Sequence, residues 1–187
     1  MMRLFIALPL PEPVEEELGR IIDLLKQKGG RVRWVAPENI HLTVRFLGDT
    51  EEALVKDLSA LIDTVASKYS PVNSVIDRLG GFPNLSRPRV IWVGLRDNIE
   101  PLQKMAREIE LAVRQLRFPK EKKGFKAHLT LGRVKDASTI KDLSNYMESY
   151  EFAEIPLLLD RLVLFKSTLT PQGAIYERLH EAGLGEK

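Results

Sequence analysis

The chain has no cysteine, only three histidines and few aromatic residues (7%), and its 28 basic side chains nearly cancel 26 acidic ones. Each shortage removes a class of chemistry. Without cysteine there is no disulfide framework, thiol nucleophile, iron–sulfur cluster or cysteine-ligated zinc site. A net charge of +2 is far below the basic excess of proteins that coat long duplexes, so any contact with nucleic acid is expected to be local. No run approaches the roughly 20 apolar residues that cross a bilayer. The apolar stretch from Leu4 to Leu10 is short, is interrupted by Pro9, and leads into Pro11-Glu12-Pro13 instead of a small-residue cleavage site. It reads as a strand, and the protein is expected in the cytoplasm with no membrane partner.

What is present is globular. In 187 residues, 44% are hydrophobic and 29% charged, enough for one ordinary domain or two small lobes around a shared core. Arg3 to Leu8, Arg31 to Val35, Ile40 to Leu47, Val72 to Leu79, Val90 to Leu95, Ala127 to Val134, Arg161 to Thr168 and Ile175 to Leu179 read as strands. Helical spacing places Val14, Leu18, Ile21, Ile22 and Leu25 on one face, and Leu102, Met105, Ala106, Ile109, Val113 and Leu116 on another. A further helix carries Leu54, Leu58, Leu61, Ile62 and Val65, with Asp49 and Glu52 at capping-box spacing before it. A short fourth helix is expected from Ser138 to Met147. Strands and helices mix without a regular strand–helix–strand rhythm, so the fold class is α+β, as two lobes facing one another with no linker between them.

The chemistry is concentrated in two short runs. Two of the three histidines stand in the same local sequence, His41-Leu42-Thr43-Val44 and His128-Leu129-Thr130-Leu131. Given the chain's threonine content, two such coincidences have a chance of about one in two hundred. Residues i and i+2 of a strand project from one face. His41 and Thr43 therefore point together to one side, with Leu42 and Val44 toward the core, and His128 and Thr130 repeat the arrangement. Two imidazoles and two hydroxyls on rigid strands suit a phosphodiester. The hydroxyls donate to non-bridging oxygens, one neutral imidazole takes a proton from the nucleophile, and the other, as imidazolium, protonates the leaving oxygen. Metal binding is the rival chemistry. Neither motif contains a carboxylate, so no metal and no cofactor is expected.

The paired H-x-T-hydrophobic motifs resemble those of the two-histidine (2H) phosphoesterase superfamily, and within it the RNA 2′,3′-cyclic phosphodiesterases also called 2′-5′ RNA ligases. The resemblance runs through MRLFIALPLP, VRWVAPENIHLTVRFLG, RVIWVGL, FKAHLTLGRV and FKSTLTPQGAIYERL, essentially the whole chain. It implies two pseudo-symmetric lobes, each an antiparallel-rich sheet with outer helices, lining a central cleft within a single domain. It further implies His41 as proton donor, His128 as proton acceptor and a 2′-phosphomonoester product from RNA ends carrying a 2′,3′-cyclic phosphate. The motifs alone do not assign those two roles. A monomer is expected. Ala127 departs from the proline that relatives often carry before the second histidine.

Several other residues are candidates. Strict alternation puts Arg45 on the face of His41 and Thr43, within reach of a phosphate. Arg133 matches an arginine implicated at the site of the resembled family, but alternation places it on the wrong face unless Gly132 permits a bulge. Phe5 and Trp34 read as core. Lys120, Lys122, Lys123 and Lys126 flank the second motif and are placed to steer RNA ends. His180 lacks a threonine partner and reads as a surface residue. Alternatives are reversible 2′-5′ joining at the same site, hydrolysis of a small cyclic or 2′-5′-linked nucleotide, and a non-catalytic module that binds nucleotides or RNA ends.

Overall fold

The computed structural model describes residues 1–171 and 173–185. Gln172, which the sequence places in the last turn, lies outside the described residues. In chain order the elements are β1 (Met2–Pro9), α1 (Glu12–Lys26), β2 (Arg31–Trp34), β3 (His41–Thr50), α2 (Val55–Ala66), β4 (Val72–Phe82), β5 (Val90–Leu95), α3 (Ile99–Gln115), β6 (His128–Asp136), α4 (Lys141–Glu148), β7 (Ile155–Leu159), β8 (Arg161–Thr170) and β9 (Gly173–Gly183). They form two antiparallel sheets, one ordered β3-β1-β8-β9 and the other β2-β6-β5-β4-β7. The architecture is α+β.

The lobes are not the two halves of the chain. The first sheet joins β1 and β3 to β8 and β9 from the far end, while β2 crosses to pair with β6 in the second sheet. Helices cover the outer faces. α2 lies on β8 and β9, α3 packs on α2 and β3, and α1 reaches β7. The face of α1 read from its sequence is the one that is buried, namely Val14, Leu18, Ile21, Ile22 and Leu25. Each such side chain contributes roughly 1.5–3 kcal/mol on leaving water. β1 is buried on both faces, which is why its sequence reads as a continuous apolar run. Leu4, Ile6 and Leu8 join the main core under the helices, while Phe5 and Ala7 join a second cluster with Val163 and Phe165 on the opposite face.

Three local expectations are corrected. Asp49 and Glu52 form no capping box. β3 continues to Thr50, a 3-10 turn follows at Glu52–Leu54, and no side chain caps α2. β7, over Ile155–Leu159, is a strand beyond those read from the sequence, because Pro156 stands inside its alternating apolar pattern. It is an edge strand, where a missing N–H is tolerated.

The third correction concerns Arg45. Ile6 pairs with Arg45 and Ala7 with Thr43, leaving Val44 as an extra residue in β3. This bulge reverses the alternation beyond it, so Arg45 turns away from His41 and into the protein, only 6% exposed. Its Nε donates to Glu110 of α3 at 2.6 Å, and its two terminal nitrogens donate to the carbonyls of Phe46 and Pro119. Glu110 in turn accepts the backbone N–H of Glu121 at 3.1 Å. Arg45 therefore ties the first motif strand to α3 and to the lysine-rich loop that enters the second motif strand. It is a strut, not a phosphate ligand. Removing one partner of such a buried pair strands the other's charge, so Arg45→Ala is expected to lower the unfolding free energy by about 3 kcal/mol. Urea denaturation checks this; a loss within about 0.5 kcal/mol, as at an ordinary surface site, would refute the strut.

Candidate active site

His41 opens β3 on the inner face of the first sheet and is half-buried. In the register of β1 with β3, Thr43 pairs with Ala7 and His41 with Pro9, and the His41 imidazole rests on Phe5 of β1. The two rings stack at 4.8 Å between centroids, 29° apart, and Phe5 is wholly buried. Tyr176 of β9 meets the imidazole edge-on at 5.4 Å. On the far side, His41 Nδ1 lies 2.7 Å from the Asn39 carbonyl, and the Asn39 side-chain amide donates to the Ala174 carbonyl at 3.1 Å. The carbonyl selects the Nδ1–H tautomer, so the lone pair is on Nε2. Burial drives the His41 pKa from 6.5 down to about 4; the Asn39 carbonyl opposes this, and the charge of His128 adds to it.

The second sheet repeats the device. His128 opens β6, half-buried, and its Nδ1 lies 2.9 Å from the carbonyl of Lys126, again two residues earlier. Aromatic edges surround it, with Phe82 at 5.1 Å and Trp92 at 6.2 Å. Trp92 lies flat across Gly80, where a Cβ would sit 2.2 Å from Trp92 Cζ2. The His128 pKa is lowered, first by burial and then by the charges of Lys126 and Arg133. The Lys126 ammonium also covers the Phe82 ring at 4.8 Å.

Beyond the second dyad there is another bulge. Trp92 pairs with Thr130 and Ile91 with Gly132, so Leu131 is the extra residue. The reversal carries Arg133 onto the face of His128 and Thr130, as the sequence required of it. Gly132 goes to the other face, where a Cβ would meet Val32 at 2.7 Å and Trp34 at 2.9 Å. Trp34 is therefore packed against the strand and does not line the cleft.

The two motif strands touch across the boundary between the sheets. The charge of His128 acts on His41, and that of Arg133 acts on Tyr176 of the other sheet. Thr43 and Thr130 are half-buried on the same face as their histidines. His41, His128 and Arg133 thus lie within electrostatic reach of one another, Thr43 and Thr130 share the strands that carry the two histidines, and Arg45 is buried away from them. His180 stands apart, with Nε2 at 2.6 Å from Asp63. Among the described residues no group of three or more histidine, aspartate or glutamate side chains is gathered as a metal site needs. No helix among them is long and apolar enough to cross a membrane. Sequence reasoning missed Tyr176, Phe82 and Trp92 as neighbours of the histidines. They come from strands distant in the chain, and only the pairing of β4 with β5, β5 with β6, β1 with β8 and β8 with β9 brings them in.

Comparison with known proteins agrees with the geometry. The model of the LigT-like phosphoesterase family matches residues 8–92 and again 93–176, one match around each His–Thr pair. An RNA 2′,3′-cyclic phosphodiesterase of Methanocaldococcus jannaschii is 37% identical over 183 residues, covering 96% of this chain and 99% of that protein. One of Thermotoga maritima is 32% identical, with coverage of 96% and 94%. A crystal structure from Thermus thermophilus superposes with a TM-score of 0.80 at 27% identity, covering 98% of both chains. Two tandem matches and relatives aligned nearly end to end show that this chain belongs to the LigT-like phosphoesterases.

Proposed function

We propose that the protein is a phosphodiesterase that hydrolyses 2′,3′-cyclic phosphates at RNA ends to 2′-phosphomonoesters. The observation that carries this reading is the duplicated His–Thr dyad on two touching strands, each histidine held by a carbonyl at Nδ1 with Nε2 left for chemistry. The full-length relatives bearing that activity in their names support it.

In this reading Thr43, Thr130 and Arg133 bind the non-bridging oxygens of the cyclic phosphate. His128, neutral, takes a proton from water at Nε2 as the water oxygen attacks phosphorus. His41, as imidazolium, gives its Nε2 proton to the 3′ oxygen as the P–O3′ bond breaks, leaving the phosphate on O2′. One proton enters the pair and one leaves, so the enzyme resets by exchange with solvent, and no cofactor beyond water is required. The two interwoven lobes act as one catalytic unit because neither holds both histidines. Lys126, already beside His128, is placed to attract an RNA end.

An oligonucleotide ending in a 2′,3′-cyclic phosphate is expected to be converted to the 2′-phosphate. No conversion, or a 3′-phosphate product, would overturn the proposal. His41→Ala and His128→Ala are each expected to lower kcat by about 10²–10⁴ with folding intact. The double variant should lose little more, because the two act as a pair.

The lowered pKa values set the pH dependence. The productive free enzyme carries one proton on the pair, and both groups titrate below 6.5. The maximum of kcat/KM is therefore expected on the acid side of that value, with a decline above it as the last proton is lost. A bound phosphodiester anion favours imidazolium, so the kcat profile should lie at higher pH than the kcat/KM profile. Rate measurements across the acid and neutral range test both statements, and coincident profiles centred above neutrality would contradict them.

A further inference from the structure

The bulge that brings Arg133 forward sets it directly opposite Arg33, its partner in the pairing of β2 with β6. Residues paired across two strands project from one face, with Cβ atoms about 5 Å apart. Arg33 therefore stands on the face of His128 and Thr130, on the edge strand of the second sheet. Both guanidinium groups are exposed, and neither has a hydrogen bond or ion pair with a described residue. On the same two strands Arg31 does have a partner, Asp136 at 3.7 Å. That carboxylate also accepts the backbone N–H of Ser138 at 3.0 Å and its hydroxyl at 2.6 Å. Lys135, which the register of β2 with β6 passes over, adds a third exposed cation. On the other flank of Arg133 lies Val90 of β5, so the row of cations extends only toward β2. The chain as a whole carries 26 acidic residues to 28 basic ones, so the want of an acid here is local.

Like charges directly opposite one another in a sheet are destabilising, and a bound anion removes that repulsion. A single phosphate beside the histidines occupies Arg133 and leaves Arg33 over. We propose that Arg33 holds a second phosphate, the phosphodiester on O5′ of the nucleotide whose cyclic phosphate lies at the histidines. This rests on the reading above insofar as Thr43, Thr130 and Arg133 hold the terminal phosphate. The chemistry of a 3′ end selects the group: beyond its cyclic phosphate the strand continues only through O5′, so the next anion along it is that phosphodiester. A guanidinium fork suits two phosphate oxygens at once. The subsite makes the cleft one for RNA ends. A nucleoside 2′,3′-cyclic phosphate, which has no phosphate on O5′, leaves Arg33 facing Arg133 without an anion between them. Contacts to phosphate carry no base information, so the subsite is indifferent to sequence.

Titration calorimetry with adenosine 2′-monophosphate and adenosine 2′,5′-bisphosphate reads the subsite apart from turnover. Wild-type protein is expected to bind the bisphosphate about tenfold more tightly, the size of one hydrogen-bonded contact to a charged group. Arg33→Ala and Arg33→Gln should each reduce that preference to about twofold or less, and Arg33→Lys should keep part of it. For an RNA strand ending in a 2′-phosphate, Arg33→Ala should make the slope of log affinity against log salt shallower by about 0.7, the contribution of one phosphate on a single strand. Thermal unfolding of Arg33→Ala is expected at the wild-type temperature or above it, since the change relieves Arg133. Equal wild-type affinity for the two nucleotides would overturn the proposal, as would a preference that survives in Arg33→Ala or an unaltered salt slope. Equal weakening of both nucleotides in Arg33→Ala would mean that Arg33 serves only the terminal phosphate, and the second subsite would be wrong. Turnover of a cyclic phosphate by the wild type is scored separately, so a failed hydrolytic reading and a failed phosphate subsite give different results.

Discussion

An added residue just beyond each His–Thr dyad decides what surrounds the two histidines. Val44 in β3 and Leu131 in β6 have no partner opposite them, and each reverses the alternation of the strand that follows. Before the bulge, histidine and threonine share a face. After it, the side chain that simple alternation would send to the cleft goes to the interior, and its successor comes forward. In β3 this buries Arg45 and presents Phe46. In β6 it turns Gly132 inward, against Val32 and Trp34, and presents Arg133.

The same device gives the duplicated lobes different equipment. Both hold a histidine by a backbone carbonyl two residues earlier, and both press aromatic rings against it, so in each the imidazole is oriented and its charged form disfavoured. The first site is the more tightly enclosed. Asn39 anchors its carbonyl to β9, and burial is the chief cause of the lowered His41 pKa. Around His128 the neighbouring cations Lys126 and Arg133 add to the effect of burial.

The lobes are held in register by more than packing. Because β1 and β3 pair with strands from the end of the chain, and β2 pairs with β6, neither sheet forms from one repeat alone. Arg45 adds a polar link from β3 to α3 and to the loop before β6, so the residues next to one dyad support the approach to the other. Placement of the two imidazoles relative to one another thus depends on contacts between segments far apart in sequence.

The amino-acid sequence by itself determined most of the elements, the buried faces of α1 and α3, and the two His–Thr dyads. Those follow from local periodicity, which neighbouring residues carry in full. It marked Arg133 only conditionally, and it misplaced Arg45, because alternation read along one strand contains no sign of the unpaired residue that a partner strand leaves out. β7 escaped because its proline is acceptable only at a sheet edge, a position known once the strand order is known. Tertiary structure alone decided which strands lie beside the dyads, hence the roles of Phe5, Tyr176, Phe82 and Trp92 as their walls. It also decided the exposure of Phe46 and the electrostatic coupling of His41 to His128, since both depend on distances between chain segments that no local pattern encodes.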